Sequence, residues 1–241
     1  MNTRKFSQSD ARYLENRKNF SEKYGERELW SVIDHWPLYA GIGNIARSLA
    51  VADLLRGTLA VPGHIAEFGS WRGANLLFLA KLLRILDSQG GKQVHCFEGF
   101  EGLGTFTPSD GASISERGRY KGSYEELLDV ISLYEMEGDI CIHKGLVHDT
   151  LPTVLKEQTE LTFSLIYCDV DLYEPTKEIL DMVHERLAKG GIFVLDEYND
   201  EKYPGETVAV REFLKVHGDK YGMEHVVGTR QPSLVLRKLV A

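Results

Sequence analysis

The chain has 241 residues, 43% of them hydrophobic and 27% charged, which supports one large folded unit with at most an appendage. A formal net charge of −8 argues against a nucleic-acid partner held by phosphate neutralisation. The polar start MNTRKFSQSDARYLENRKNF is unlike a secretory signal, and no apolar run approaches the roughly 18 residues that span a bilayer, so a soluble, cytoplasmic protein is expected. Residues 1 to about 60 carry no strand-like run. There NIARSLAVADLL sets Ile45, Leu49, Ala52 and Leu55 on one helical face, and a helical extension over 1–60 is expected ahead of a second unit over 61–241.

From residue 61 onward short apolar runs alternate with amphipathic segments. HIAEFGS reads as a strand and ANLLFLAKLLRIL as a helix. QVHCFEGF is a strand, and SYEELLDVISLYE a helix with Ser123 as N-cap and Glu126 completing a capping box. DICIHKG is a strand, followed by the helix DTLPTVLKEQ, capped by Asp149 or Thr150 with Pro152 in its first turn. FSLIYCDV is a strand and PTKEILDMVHERL a helix. GIFVLDEY is a strand after a tight turn at KGG. The helix ETVAVREFLKVHG precedes two closing strands, MEHVVG and SLVLRKL. This alternation predicts an α/β fold with a mainly parallel seven-stranded sheet and an antiparallel C-terminal hairpin on one edge. Cys96, Cys141 and Cys168 each fall inside a strand candidate, lack CxxC spacing, and read as reduced, buried thiols.

In such sheets ligands bind beyond the carboxyl ends of the strands, and every chemistry-bearing motif falls at one of those ends. EFGSWRG brings Gly69 and Gly73 into a sharp turn, with Ser70 between them and Glu67 embedded near the end of an apolar strand. HCFEGFEGLG ends the second strand on Glu98, an acidic position able to accept hydrogen bonds from both hydroxyls of a ribose. HKGLVHDTLP ends the third, and its Gly145 would let an adenine lie against the backbone. His143 and His148 read as structural or solvated there. LIYCDVDLYEPT carries Asp169 and Asp171, whose side chains point to one side if the strand runs on through them. LDEYND adds Asp196 and Glu197 next door. Carboxylates crowded at adjacent strand tips repel unless a cation sits among them, and an all-oxygen set suits a hard divalent ion, magnesium first. The competing account of Asp171 and Asp196 is that they cap turns or helices.

EFGSWRGAN, CFEGFEGLG, KGLVHDTLP, YCDVDLYEPT and KGGIFVLDEYN, in this order and spacing, resemble the macrocin O-methyltransferase family over roughly residues 60–235. The resemblance implies a Rossmann-like class I methyltransferase fold with an N-terminal helical lid. It also implies S-adenosylmethionine as methyl donor and magnesium-dependent methylation of a sugar hydroxyl. Glu67, Gly69 and Gly73 match the first cofactor motif, and Glu98 the ribose position, where the family typically has aspartate. Asp169 matches the first metal position, and Asp196 with Glu197 the second acidic pair. Glu197 stands where that pair usually ends in aspartate, and FEGLG replaces FEGLP.

On this reading Asp169, Asp196 and Glu197 are the metal ligands, and Asp169 or Asp171 takes the proton. Asp171 stays open between base, outer partner and helix cap, while His217 and His225 either reach the acceptor or are solvated. Trp71, Tyr173 and Tyr198 either wall the pocket or pack in the core. The expected partner is a small sugar-containing acceptor, with no nucleic acid and no membrane. An N-terminal lid of this kind could exchange between subunits of a homo-oligomer. Competing readings are methyl transfer to a catechol-like diol or an amino-sugar nitrogen, a nicotinamide-dependent oxidoreductase, and a binding protein that keeps the pocket without catalysis.

Overall fold

The computed structural model describes residues 7–24, 33–38, 40–87, 90–104 and 106–240. Its strands are β1 (His64–Phe68), β2 (Val94–Glu98), β3 (Ile140–Lys144), β4 (Phe163–Cys168), β5 (Leu187–Leu195), β6 (Tyr221–His225) and β7 (Leu234–Lys238). They form one seven-stranded sheet in the order β3-β2-β1-β4-β5-β7-β6. The pairs from β3 to β5 are parallel, and β7 is antiparallel to both β5 and β6. The helices are α1 (Ser7–Tyr24), α2 (Ile42–Thr58), α3 (Ala74–Leu86), α4 (Tyr124–Leu133), α5 (Val147–Glu157), α6 (Tyr173–Val183) and α7 (Pro204–His217).

Strand period fixes which side chain meets which helix layer. Ile65, Leu165, Tyr167, Ile192 and Val194 point to one face and pack with Val51 and Leu55 of α2, Leu76 and Leu79 of α3, and Leu127 of α4. Ala66, Phe68, Ile166, Cys168, Phe193 and Leu195 point to the other, against Leu151 of α5, Ile179 of α6 and Phe213 of α7. Both faces of the central strands are therefore buried, which is why they read as unbroken apolar runs. α1 lies along α4, with Tyr13 stacked on Tyr134 at 4.9 Å, Arg12 paired with Glu135 at 2.5 Å and Lys23 paired with Asp129.

Several local expectations shift. The buried stripe of α2 is Val51, Leu55 and Thr58, while Leu49 is 62% exposed, so the helix is rotated from the face expected through Ile45, Leu49 and Ala52. α5 starts at Val147, because the N–H groups of Asp149 and Thr150 both donate to Leu146 O (3.1 and 3.0 Å), and Pro152 therefore lies inside the helix. KGG is not a turn before β5. The strand begins at Leu187 and passes through it, with Gly190 at φ 84° and the register to β4 jumping between Phe163 and Leu165. Ser123 caps α4 as expected, its Oγ accepting the Glu126 N–H at 3.1 Å, while the Glu126 carboxylate lies 3.6 Å from Arg72. All three cysteines are free thiols in strands, with Cys96 and Cys168 buried and Cys141 half-buried.

One buried polar group carries a pH consequence. His95 of β2 stands beside His143 of β3, Nδ1 to Nε2 3.1 Å, and its other nitrogen has no partner. Burial, reinforced by His143 and His64, lowers its pKa to about 4. A lowered histidine pKa means the unfolded chain binds more protons, so this contribution is complete above about 6.5 and lost as pH falls towards 4. Chemical unfolding at pH 7.5 and pH 5 should show His95→Leu losing less stability on acidification than the parent. Equal losses would refute the assignment.

Candidate active site

The β1 tip is built by a backbone that few residues can follow. Gly69 has φ 82°, and a Cβ on it would overlap the carbonyl oxygen of Asp169 at the tip of β4. Its N–H donates to Phe97 O at 3.1 Å, and the Asp169 N–H to Phe68 O at 2.9 Å, so the tips of β2, β1 and β4 are tied side by side. Glu67 is buried, with one oxygen accepting from Ser70 Oγ at 2.6 Å and the other from Asn75 Nδ2 at 2.8 Å. It pins the turn that Gly69 opens and Gly73 closes into α3. Burial raises its carboxyl to about 7.

Glu98, at the β2 tip, accepts the backbone N–H of Trp71 and of Phe100, each at 2.7 Å. Its carboxylate lines the cleft, and each oxygen of a carboxylate can accept more than one hydrogen bond. Burial raises its pKa, opposed by these backbone bonds. Gly99 and Gly145, the residues that follow β2 and β3, lie alongside each other, so the backbone just beyond those two strands carries no side chain. These residues and the carboxylates of β4 and β5 line a single cleft of about 1120 Å³.

The period that places Tyr167 and Val194 on the α2 face also carries Asp169 and Asp196 there. A cation meets them, and it comes from the N-terminal third. Arg47 of α2 donates Nη1 to Asp196 at 2.9 Å and Nη2 to Asp169 at 3.1 Å, with its guanidinium 5.8 Å from the Tyr167 ring. Asp196 also accepts the Tyr167 hydroxyl at 2.5 Å. Both of its oxygens are thereby taken.

Asp171 reaches the site differently from the expected strand continuation. β4 ends at Cys168, and Asp171 sits in a turn at φ 61°, a conformation aspartate tolerates. The turn brings it back to Asp169 and Glu197, and one oxygen from each of the three lies within 4.8 Å of the others. Asp171 thus stands where Asp196 was expected. Glu197 accepts from Gln231 at 2.8 Å through one oxygen, and its other oxygen is buried without a partner. Burial raises all three: Asp171 to about 7, and Asp169 and Glu197 well above the usual carboxylate range. Beneath them the fully buried Glu206 accepts the Glu197 N–H at 2.9 Å, and its pKa is also raised by burial.

Among the described residues, His217 and His225 do not line the cleft. His217 packs on His184 and Phe213, and His225 is exposed at the end of β6. Trp71 is a wall residue, whereas the Tyr173 hydroxyl turns to Glu212 (2.8 Å) and Tyr198 packs against the core. Sequence reasoning missed Arg47, Glu206, Gln231 and Tyr203, the last a cleft-lining residue whose hydroxyl lies 3.1 Å from that of Tyr120. Arg47 had a readable signal, since it continues the buried stripe of Val51, Leu55 and Thr58 one turn towards the N-terminus. The others had none.

A sheet of this order, with a glycine turn after β1, an acidic tip on β2 and carboxylates on β4 and β5, defines a class I methyltransferase fold. The chain belongs to the Macrocin-O-methyltransferase (TylF) family, whose sequence model matches residues 14–230. It is 27% identical over 169 residues to the mycinamicin III 3''-O-methyltransferase of Micromonospora griseorubida, covering 66% of this chain and 63% of the relative. It is 29% identical over 149 residues to 8-demethyl-8-(2,3-dimethoxy-alpha-L-rhamnosyl)-tetracenomycin-C 4'-O-methyltransferase of Streptomyces olivaceus, covering 57% and 54%. These matches span between about half and two thirds of the relatives' own length. Two solved structures of CalS11 superpose with TM-scores of 0.74 and 0.67, each at 27% identity and 93% of this chain. They cover 91% and 93% of the CalS11 chains, described as a calicheamicin methyltransferase and as TDP-rhamnose 3'-O-methyltransferase.

Proposed function

We propose that this chain is an O-methyltransferase that moves a methyl group from S-adenosylmethionine to a hydroxyl of a sugar or glycosylated natural product, with a divalent cation, magnesium first, at the carboxylate tips. The observation that carries it is the convergence of Asp169, Asp171 and Glu197 beside the glycine-floored groove, with a buried Glu197 oxygen lacking a partner. A buried, unpaired carboxylate oxygen costs free energy that an oxygen-seeking ion would offset. The relatives' names supply the acceptor class. The formal net charge of −8 argues against a nucleic-acid partner, and among the described residues no helix is long and apolar enough to cross a membrane. A cytoplasmic enzyme with a small acceptor, its cleft walled on one side by α2, is the arrangement we infer.

In this reading Glu98 holds the ribose, Gly69, Ser70 and Gly145 give the cofactor room against the backbone, and Glu67 keeps that turn in shape, while Gly73, expected at the cofactor, faces Leu127 of α4 and lets α3 pack closely there. Asp169, Asp171 and Glu197 would hold the ion, and Asp196 joins them once Arg47 is given up. When bound there, a divalent ion would supply a Lewis acid that lowers the pKa of the reacting hydroxyl. As the acceptor oxygen displaces sulfur at the methyl carbon, a C–O bond forms, the S–C bond breaks, and the hydroxyl proton passes to a carboxylate, Asp171 or Asp169. The cleft walls keep both reactants in line.

Calorimetry with S-adenosylmethionine and S-adenosylhomocysteine, followed by a methyl-transfer screen over nucleotide-linked and glycosylated sugars with magnesium or EDTA, tests this. Binding of neither cofactor form would sink the methyltransferase reading, and EDTA-resistant turnover would sink the metal. Glu98→Ala should weaken cofactor binding by about tenfold to a hundredfold, the worth of a hydrogen bond to a charged group. Its metal affinity should stay unchanged, and a variant with parental cofactor affinity would remove Glu98 from the ribose site.

A further inference from the structure

We propose that Arg47 is a built-in counter-cation for the carboxylate tips, and that a divalent ion must displace it from Asp169 and Asp196. The proposal rests on the metal reading above. The guanidinium fork spans the two aspartates with one nitrogen each, at 3.1 and 2.9 Å, bridging them much as a shared ion would. Asp169 Oδ2 and Asp196 Oδ2 are the contacted oxygens. An ion drawing on either of them competes directly with the guanidinium, and both cannot be satisfied together. The exchange also changes the ligand set: with Arg47 in place Asp196 is engaged and Asp171 completes the cluster, whereas its departure frees Asp196 at the β5 tip.

The part of α2 that carries Arg47 is built to let go. Its buried residues begin at Val51, so the first two turns contribute none to the core. Gly41 at the N-cap offers no capping side chain, and Ile42 and Leu49 are 87% and 62% exposed. Few buried contacts oppose a local opening of that end. Val51, Leu55 and Thr58 hold the other end against the sheet. Arg47 is thus a positioning residue, linking the N-terminal helix to the occupancy of the carboxylate tips.

The test is titration of Mg²⁺ and of Mn²⁺ into the full chain by calorimetry, for the parent, Arg47→Met and Arg47→Lys. Methionine keeps the apolar stem and removes the charge, and lysine keeps the charge and loses the fork. Arg47→Met should bind at least tenfold tighter than the parent, with Arg47→Lys between them. A merely structural role would weaken ion binding on substitution. In the parent, added Mg²⁺ should speed hydrogen exchange over residues 42–50 and leave 51–58 unchanged, a readout that stands even if Arg47→Met fails to fold. A parent that binds the ion with no gain in Arg47→Met, or with unchanged exchange over 42–50, overturns this proposal alone. If no form takes up either ion, the metal reading falls and this one with it.

Discussion

Asp169→Asn is expected to lower turnover by about 10³-fold or more, within the range that a positioned carboxylate or a metal ligand supplies. Cofactor affinity should stay nearly unchanged, because the asparagine keeps the backbone that ties β4 to β1 through the Asp169 N–H and Phe68 O. Asp169 joins the Arg47 pair to the carboxylate cluster. It pairs with Arg47, lies within 4.8 Å of both Asp171 and Glu197, and is lifted in pKa by burial and by Asp196. Neutralising it relieves that repulsion, so the variant should be at least as stable as the parent while losing ion affinity. Steady-state kinetics with and without magnesium, with calorimetry for both ligands, separates the two effects. An active, metal-independent Asp169→Asn would remove this residue from the chemistry.

Gly69→Ala is expected to be the most damaging glycine-to-alanine change among the described residues. The residue sits at φ 82°, and the added carbon would overlap the Asp169 carbonyl oxygen, an atom of a backbone held between two parallel strands. Strained backbone of this kind costs about 1–3 kcal/mol by itself, and the clash adds to it by prising β1 from β4. Chemical denaturation should show a loss of about 3 kcal/mol or more. Binding of S-adenosylmethionine and of magnesium should fail together, because the clash prises apart the β1 tip that carries the glycine turn and the β4 tip that carries Asp169. Gly118→Ala is the control: φ is 75° there, but a Cβ would meet nothing within 4 Å. It should show the dihedral cost alone. Equal losses in the two variants would show that the close approach of the tips is not what Gly69 provides.

The strands, the helices between them and the closing hairpin were legible because each is written in local periodicity. β4 and β5 are apolar on both faces, so they could only be interior parallel strands. Ser123 was readable as a cap because a hydroxyl ahead of a helical run has one obvious donor to satisfy. Misreadings came where two local signals competed. KGG reads as a turn, yet its glycines let β5 bulge and continue. Pro152 reads as a first-turn residue, yet the helix closes a turn earlier on Leu146. The tips at Glu98, Asp169 and Glu197 were visible because a charge at the end of an apolar run has no structural reason to be there.

The sequence by itself determined an α/β sheet with acidic strand ends and the need for a cation among them. It could not say which cation meets them in this chain. Arg47 is 122 residues from Asp169 and 149 from Asp196, and nothing local connects an arginine on a half-exposed helix with those strand tips. Only packing decides it: Val51 and Leu55 set the rotation of α2, and that rotation aims Arg47 between the two aspartates. The turn that swings Asp171 beside Glu197, and Glu206 buried beneath, are likewise products of where chain segments stop and meet. Like charges a few ångströms apart are sensitive to shifts of an ångström, and such distances are fixed by the packed tertiary structure rather than by spacing along the chain.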